Sequence, residues 1–305
     1  MPEEKKKYRI WCEQVDVPLF MQAWWMDAVC VKGSWEVFLY EENNEIVAAM
    51  PFHIRKKFGL RFIIQPQMTQ YSGIWIHYPE NIASYKRYEL EKRVCNYFID
   101  RLKSFGYFYY KQNFPPQFTN WLPFYWRGFR QTTRYSFVLD DLSDTESLIL
   151  HFNDGKKQHI KKAERWLTTD CSLTAETFYD LHLHCLKAQG QKITYSRNLL
   201  TRLYDAALAR NQGMIVAVRD HQEVHAALLI VWDANNAYNL ISAIDPRHRA
   251  SGGSSLIFRE AIRTMSKRTH CFDFEGSMIK GVADSFAQFG AKMTPYLSIQ
   301  RYRIF

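Results

Sequence analysis

One segment of the chain has the residue types and spacing of an anion site. Tyr238-Asn-Leu-Ile-Ser-Ala-Ile244 reads as a strand, Asp245-Pro-Arg-His-Arg-Ala-Ser-Gly-Gly-Ser-Ser255 as a loop, and a helical pattern follows. Backbone N–H groups at a helix N-terminus are unpaired, and the helix dipole favours negative charge there. Gly252 and Gly253 allow close approach to the backbone. Arg249, and behind it Arg247, add charge and forked donors. The plainer reading of the same residues is a helix capped by Ser254 and Ser255. A second candidate is the basic helix that begins Lys156-Lys-Gln-His-Ile-Lys-Lys-Ala-Glu164. On it Lys157, Lys161 and Arg165 (or Lys162) fall on one face, suited to nucleic-acid phosphates or to plain solvation. His53-Ile-Arg-Lys-Lys57 with Arg61 forms another basic cluster at a hairpin end.

Other chemistries find no pattern. The histidines lack H-E-x-x-H spacing and the cysteines lack a C-x-x-C pair, so no metal is expected. Cys185 stands near His182 and His184, but adjacent and alternate helix positions point in different directions. Neither G-x-S-x-G nor a Walker loop is present.

Elements must hold the anion loop in place. The 305 residues predict about two domains. With 47% hydrophobic residues the chain is not largely disordered. Forty Lys and Arg against 31 Asp and Glu leave +9, which favours anionic partners. The longest apolar run, Ala226–Trp232, is too short to span a bilayer. No apolar leader follows Met1, so a reducing cytoplasm is the expected location.

The chain also repeats itself. Val37–Pro51 (VFLYEENNEIVAAMP) aligns without a gap to Ile215–Leu229 (IVAVRDHQEVHAALL), matching Glu45 to Glu223 and Ala48-Ala49 to Ala226-Ala227. Each copy reads as a hairpin. Downstream, Tyr85–Phe105 and Gly253–Lys267 read as helices, followed by strands at Tyr107–Gln112 and His270–Glu275. FYWRGF (124–129) and FAQFGA (286–291) read as helices closed by Gly128 and Gly290. Strands follow at Thr133–Leu139 and Pro295–Arg303. The order expected in each half is strand, helix, hairpin, strand, helix, strand, helix, strand. This is a mixed α/β layer fold occurring twice, with domains at 1–141 and 142–305 and a helical region of about three helices at 146–211.

In that setting Arg249-Ala-Ser-Gly-Gly-Ser254 resembles the R-x-x-G-x-G/A/S loop of the GNAT acyltransferases. Two such halves resemble the tandem-GNAT, Fem-like (FemAB-type) acyltransferases. Gln67–Trp75 (QMTQYSGIW), the basic helix, and Phe272–Ser277 (FDFEGS) with Phe289-Gly290-Ala291 are similar to segments of that group. The resemblance implies acyl transfer from acyl-CoA to an amine, in a cleft between the halves and without a metal. The donor would lie on Arg249, Gly252, Gly253, Ser254 and Ser255, with its pantetheine arm along Ser242, Ala243 and Ile244. Glu275 is implied as base or substrate-orienting group, with Asp273 beside it. Gln70, Tyr71 and Tyr296 are implied on the acceptor side, and Lys157 and Lys161 as contacts to an anionic substrate. Many GNAT enzymes carry a tyrosine acid where this chain has Phe286. The first half has Glu80-Asn-Ile-Ala where a phosphate loop would stand, so one donor site is expected. Two alternatives stay open: a Fem-type aminoacyl-tRNA-dependent peptidyltransferase acting on a cell-wall precursor, and a non-catalytic protein binding RNA or another anionic ligand.

Overall fold

The computed structural model describes residues 2–276 and 278–303. The chain runs through α1 (Pro2–Gln14), α2 (Ala23–Val29), β1 (Ser34–Glu42), β2 (Glu45–Lys57), β3 (Leu60–Ile64), β4 (Trp75–Ile76), α3 (Ser84–Phe105), β5 (Tyr109–Asn113), α4 (Leu122–Trp126) and β6 (Arg130–Leu139). It continues through α5 (Thr145–Leu150), α6 (Asp154–Ala163), β7 (Thr168–Asp170), α7 (Ala175–Ala188), α8 (Arg197–Leu208), β8 (Gly213–Arg219), β9 (Val224–Trp232) and β10 (Asn236–Ile244). A 3-10 turn, Pro246–Ser251, leads to α9 (Gly253–Met265), β11 (Cys271–Asp273), α10 (Lys280–Ala287) and β12 (Lys292–Tyr302).

Two compact units result: Met1–Arg134 with Pro295–Phe305, and Tyr135–Thr294. This division differs from the expected break at 141/142. The acidic stretch Asp140-Asp-Leu-Ser-Asp144 at that break is no linker, because Leu142 is buried in the core of the second unit. The last strand also leaves residues 142–294: Ser298 to Tyr302 pair with Asn113 to Tyr109 of β5. That backbone ladder ties the strand to the first unit.

In the first unit the sheet order is β1-β2-β3-β5-β12, with β4 pairing β2. Val94, Phe98 and Leu102 recur every fourth residue on α3 and are fully buried, in one cluster with Phe38, Phe52 and Tyr110. Truncating Phe98 to Ala costs about 3–5 kcal/mol at such a site. Strand alternation sends Val37 and Leu39 to the opposite cluster, with Tyr8 and Trp11 of α1. The unit therefore opens with a helix where a strand was expected. Glu3 and Glu4 suit its positive N-terminus, and the spacing of Tyr8 and Trp11 places both on one face.

In the second unit the order is β6-β11-β10-β9-β8-β7, with only β11 and β10 parallel. The apolar stripe of α9 (Leu256, Ile257, Ala261, Ile262, Met265) is buried in its core. The helical region holds four helices, α5 to α8, rather than three, and is interrupted by β7, which pairs with β8.

The repeated hairpin is present twice in the same register. Leu39 faces Ala49 and Tyr40 faces Ala48; Ala217 faces Ala227 and Val218 faces Ala226. Both ladders slip at the same place, Tyr40/Glu41 and Val218/Arg219. Gly128 and Gly290, the two helix-closing glycines, share a φ of 78°.

Candidate functional site

The site in the second unit begins as a parting of strands. Parallel β10 and β11 are paired only from Asn236/Cys271 to Tyr238/Asp273. On its other side β10 stays paired to β9 as far as Ile244, but its register slips between Asn239 and Ile241. This is a β-bulge, a device that re-aims a strand. Asn239 holds the parting: its Nδ2 donates to Phe274 O at 3.3 Å and to Ser242 Oγ at 2.9 Å. Residues 241–244 thus present one backbone edge that β11 does not pair. Ser242, Ala243 and Ile244 lie on this stretch, Ala243 fully buried and the other two half-buried.

The strand leads into the glycine loop. Gly252 is left-handed (φ 81°), and a Cβ there would lie 2.3 Å from the carbonyl oxygen of His159. Only glycine lets the loop rest on α6 in this way. Ser251 Oγ accepts from Gly253 N at 3.0 Å, and Ser255 N donates to Gly252 O at 3.0 Å. Ser255 is buried and Ser254 half-buried, whereas Arg249 is exposed beside the loop. The capping hydroxyl is therefore Ser251's; among the described residues the Ser254 and Ser255 hydroxyls cap no helix N–H.

Several side chains clip the loop in place. Asp245 is buried and accepts from Arg247 N at 2.9 Å and Arg247 Nη2 at 2.7 Å. Burial pushes its carboxyl up, but Arg247 outweighs this and holds it below the ordinary range. Glu223, in the hairpin turn, accepts from Arg247 Nη1 at 3.2 Å and contacts His248 Nε2 at 2.8 Å. His248 stacks on His225, ring centroids 3.8 Å apart. Lys162 of α6 donates to Ala250 O at 3.0 Å. Both arginines are exposed, but Arg247 is held by Asp245 and Glu223 as a clip, whereas Arg249 makes no ion pair among the described residues.

Glu275 follows β11 in a conformation rare for a side-chain-bearing residue, φ 57°. Its N–H donates to Asp273 Oδ1 at 2.7 Å, and Ser136 Oγ bonds the same oxygen. A Cβ at Gly276 would strike the carbonyl of Tyr135 at 1.9 Å, so the turn is pressed against β6. Glu275 Oε1 is buried with no hydrogen-bond partner among the described residues. Burial, and secondarily Asp273, push this carboxyl well above the usual range. Asp273 acts through the backbone of Glu275. Ser277, which ends the motif, lies outside the described residues. Phe286 is buried against Phe258 and Phe274.

The remaining sequence candidates are not gathered at this loop. Lys157 pairs with Asp154 at 2.8 Å and donates to Leu150 O; Lys161 is exposed. In the first unit Tyr71 is buried, its ring edge-on to Phe20. The carbonyl of Gln70 accepts from Asn113 Nδ2 at 2.8 Å. Tyr296 is buried, and its hydroxyl accepts from Arg134 Nε at 3.2 Å.

Residues 155–284 match the family described as Acetyltransferase (GNAT) domain. This segment is a GNAT domain. It contains the bulged strand, the loop and Glu275, and it makes the chain an acyltransferase by class. The fold of the chain is that of tandem-GNAT, Fem-like proteins. It is similar to FemX, with TM-score 0.73 and 10% identity over 96% of this chain and 95% of that one. L-PGS from Bacillus licheniformis gives 0.59 and 11% over 99% and 92%. A tandem GNAT protein from the clavulanic acid biosynthesis pathway gives 0.54 and 9% over 99% and 94%. No curated protein sequence matches.

Sequence reasoning missed Asn239, His225, His248 and the clip roles of Glu223 and Lys162. Asn239 was visible as a polar residue in an apolar strand. Glu223 was matched to Glu45, but its ion pairs join segments 24 residues apart and leave no local signal.

Proposed function

We propose that the GNAT domain transfers an acyl group from acyl-CoA to an amine. The observation that carries this is the open edge of β10 running directly into the Arg249–Gly253 loop at the start of α9. An extended pantetheine amide can pair with backbone at residues 241–244, while the pyrophosphate meets the helix N-terminus and Arg249. Gly252, Gly253, Ser254 and Ser255 supply the close-fitting part of that cradle.

The amine must be neutral to attack the thioester carbonyl. Its lone pair forms the new C–N bond, the C–S bond breaks, and the thiolate leaves with the electron pair. Glu275 accepts the proton that the amine gives up. Its raised pKa brings a carboxylate towards the working pH of such a base. Asp273 is a positioning residue that holds the Glu275 backbone. Phe286 offers no proton, and a thiolate needs little protonation to leave. Gln70, Tyr71 and Tyr296 remain proposed acceptor-side residues through resemblance alone, and their burial supports a packing role more than contact. The place of action is the cytoplasm, where acyl-CoA is available.

A second reading is favoured by the likeness to FemX over nearly the whole chain. In it the donor is aminoacyl-tRNA, with Lys157 and Lys161 contributing phosphate contacts. Calorimetric titration with CoA and acetyl-CoA separates the two. Micromolar binding that weakens about tenfold in Arg249→Ala supports the acyl-CoA reading. No binding at millimolar CoA, with salt-sensitive binding of charged tRNA, supports the other.

A further inference from the structure

The first unit has two hairpins with two-residue turns, and they differ in what they place at the tip. The β1–β2 turn is Asn43-Asn44, with φ 53° and 65°. Both residues tolerate the left-handed conformation that such primed turns demand, and both are polar. The β2–β3 turn is Phe58-Gly59, with φ 52° and 72°. Glycine fits; phenylalanine does not. An aromatic side chain here is costly in backbone conformation, and Phe58 is 87% exposed. Neither folding nor packing explains it.

The flanks give it a context. Arg55, Lys56 and Lys57 lead into the turn, and all three are exposed with no ion pair among the described residues. Lys57 Nζ sits 5.0 Å over the Phe58 ring. Pairing with β1 ends at Ile54, so these residues project past that strand. Cross-strand register puts Arg55 opposite Phe62 and Lys57 opposite Leu60 on one face. Beside this hairpin Arg55, Lys56, Lys57, Phe62 and Ile64 line a cavity of about 460 Å³. Arg61 is spent elsewhere, donating to Phe105 O and lying over that ring.

We propose that the β2–β3 hairpin docks the protein on an anionic lipid surface. Phe58 enters the acyl boundary, and the cations behind it meet lipid headgroups. An apolar tip with charge set behind it matches the layering of a bilayer. Phe58 is the one aromatic ring at the tip, whereas binding of a nucleic-acid strand stacks successive bases on several rings. Among the described residues no helix is long and apolar enough to cross a membrane, so this contact is peripheral.

Co-sedimentation with vesicles tests it, using phosphatidylcholine alone or mixed with phosphatidylglycerol. The full chain is expected to bind only the mixed vesicles and to be released by salt. Phe58→Asn installs a residue at home in this turn, so folding is kept or improved, and partitioning should fall about tenfold. Lys56→Gln with Lys57→Gln should lower it roughly 30-fold. The proposal is overturned if the wild type ignores anionic vesicles, or if both variants bind like it. It is also overturned if unstructured RNA, rather than vesicles, is what the variants stop binding. CoA affinity, read on the same samples, belongs to the second unit and reports separately on the acyl-transfer reading.

Discussion

Ile76 faces Ala48 in the first unit as Ile244 faces Ala226 in the second. The same hairpin thus delivers the chain to the same point twice. From there seven residues, His77–Ala83, lead to α3, and eight, Asp245–Gly252, lead to α9. The first connection has no glycine and no arginine, and it carries Glu80. Its helix is entered through Ala83 with φ −64°; the other is entered through Gly252 with φ 81°. Glu45 begins a strand as an exposed side chain, whereas its counterpart Glu223 ties down Arg247 and His248. The hairpin is scaffold in both units. What distinguishes them chemically is a loop of fewer than ten residues, as expected when function is grafted onto a repeated fold.

The largest test of this contrast is Gly252→Val. It adds left-handed strain and a backbone collision and should cost about 4 kcal/mol in urea unfolding. Ala83→Gly, its counterpart, should shift stability by less than about 1 kcal/mol. Equal effects would break the comparison.

Next comes Glu275→Gln, expected to lower kcat about 100-fold with little change in KM. Its stability effect has a fixed sign. A carboxyl whose pKa is raised by folding keeps its proton in the folded protein where the unfolded chain has lost it. Wild-type stability therefore falls as pH rises from the ordinary glutamate range through the raised value. Glu275→Gln removes that loss, so its gain in Tm over wild type should widen as pH rises above the ordinary glutamate range. A constant difference would place the carboxyl in water.

Arg249→Ala should weaken CoA about tenfold by calorimetry, while Glu80→Arg in the first copy should leave CoA binding unchanged. The smallest effect is expected for Glu223→Ala. Loosening an exposed clip should reduce CoA affinity about threefold, and Glu45→Ala should do nothing measurable.

Much of this was readable from residue order. The hairpins, α3, α9 and the glycine loop follow from periodicity and turn chemistry, which act over a few residues. The opening helix was missed because its buried face rests on Tyr8 and Trp11 meeting β1, a contact that no local pattern announces. Arg247 and Arg249 were both legible as loop arginines, but only the buried Asp245 reveals which one is ion-paired. The strain at Glu275 was invisible, since a left-handed glutamate is what propensity argues against. Phe58 escaped for the same reason: the basic run was seen, and the aromatic beside it was not.

The assignment of Pro295–Tyr302 to the first unit also sets an order of events during synthesis. Residues 135–294 leave the ribosome before the strand that pairs with β5, so the second unit has all its chain while the first still lacks a strand. Until β12 arrives, one side of β5 is a row of unsatisfied backbone groups, a template for pairing with another chain. The half made first is the half finished last. Aggregation during expression should therefore be governed by the first unit, and a nascent chain stalled just before residue 295 should expose that edge to chaperones and proteases.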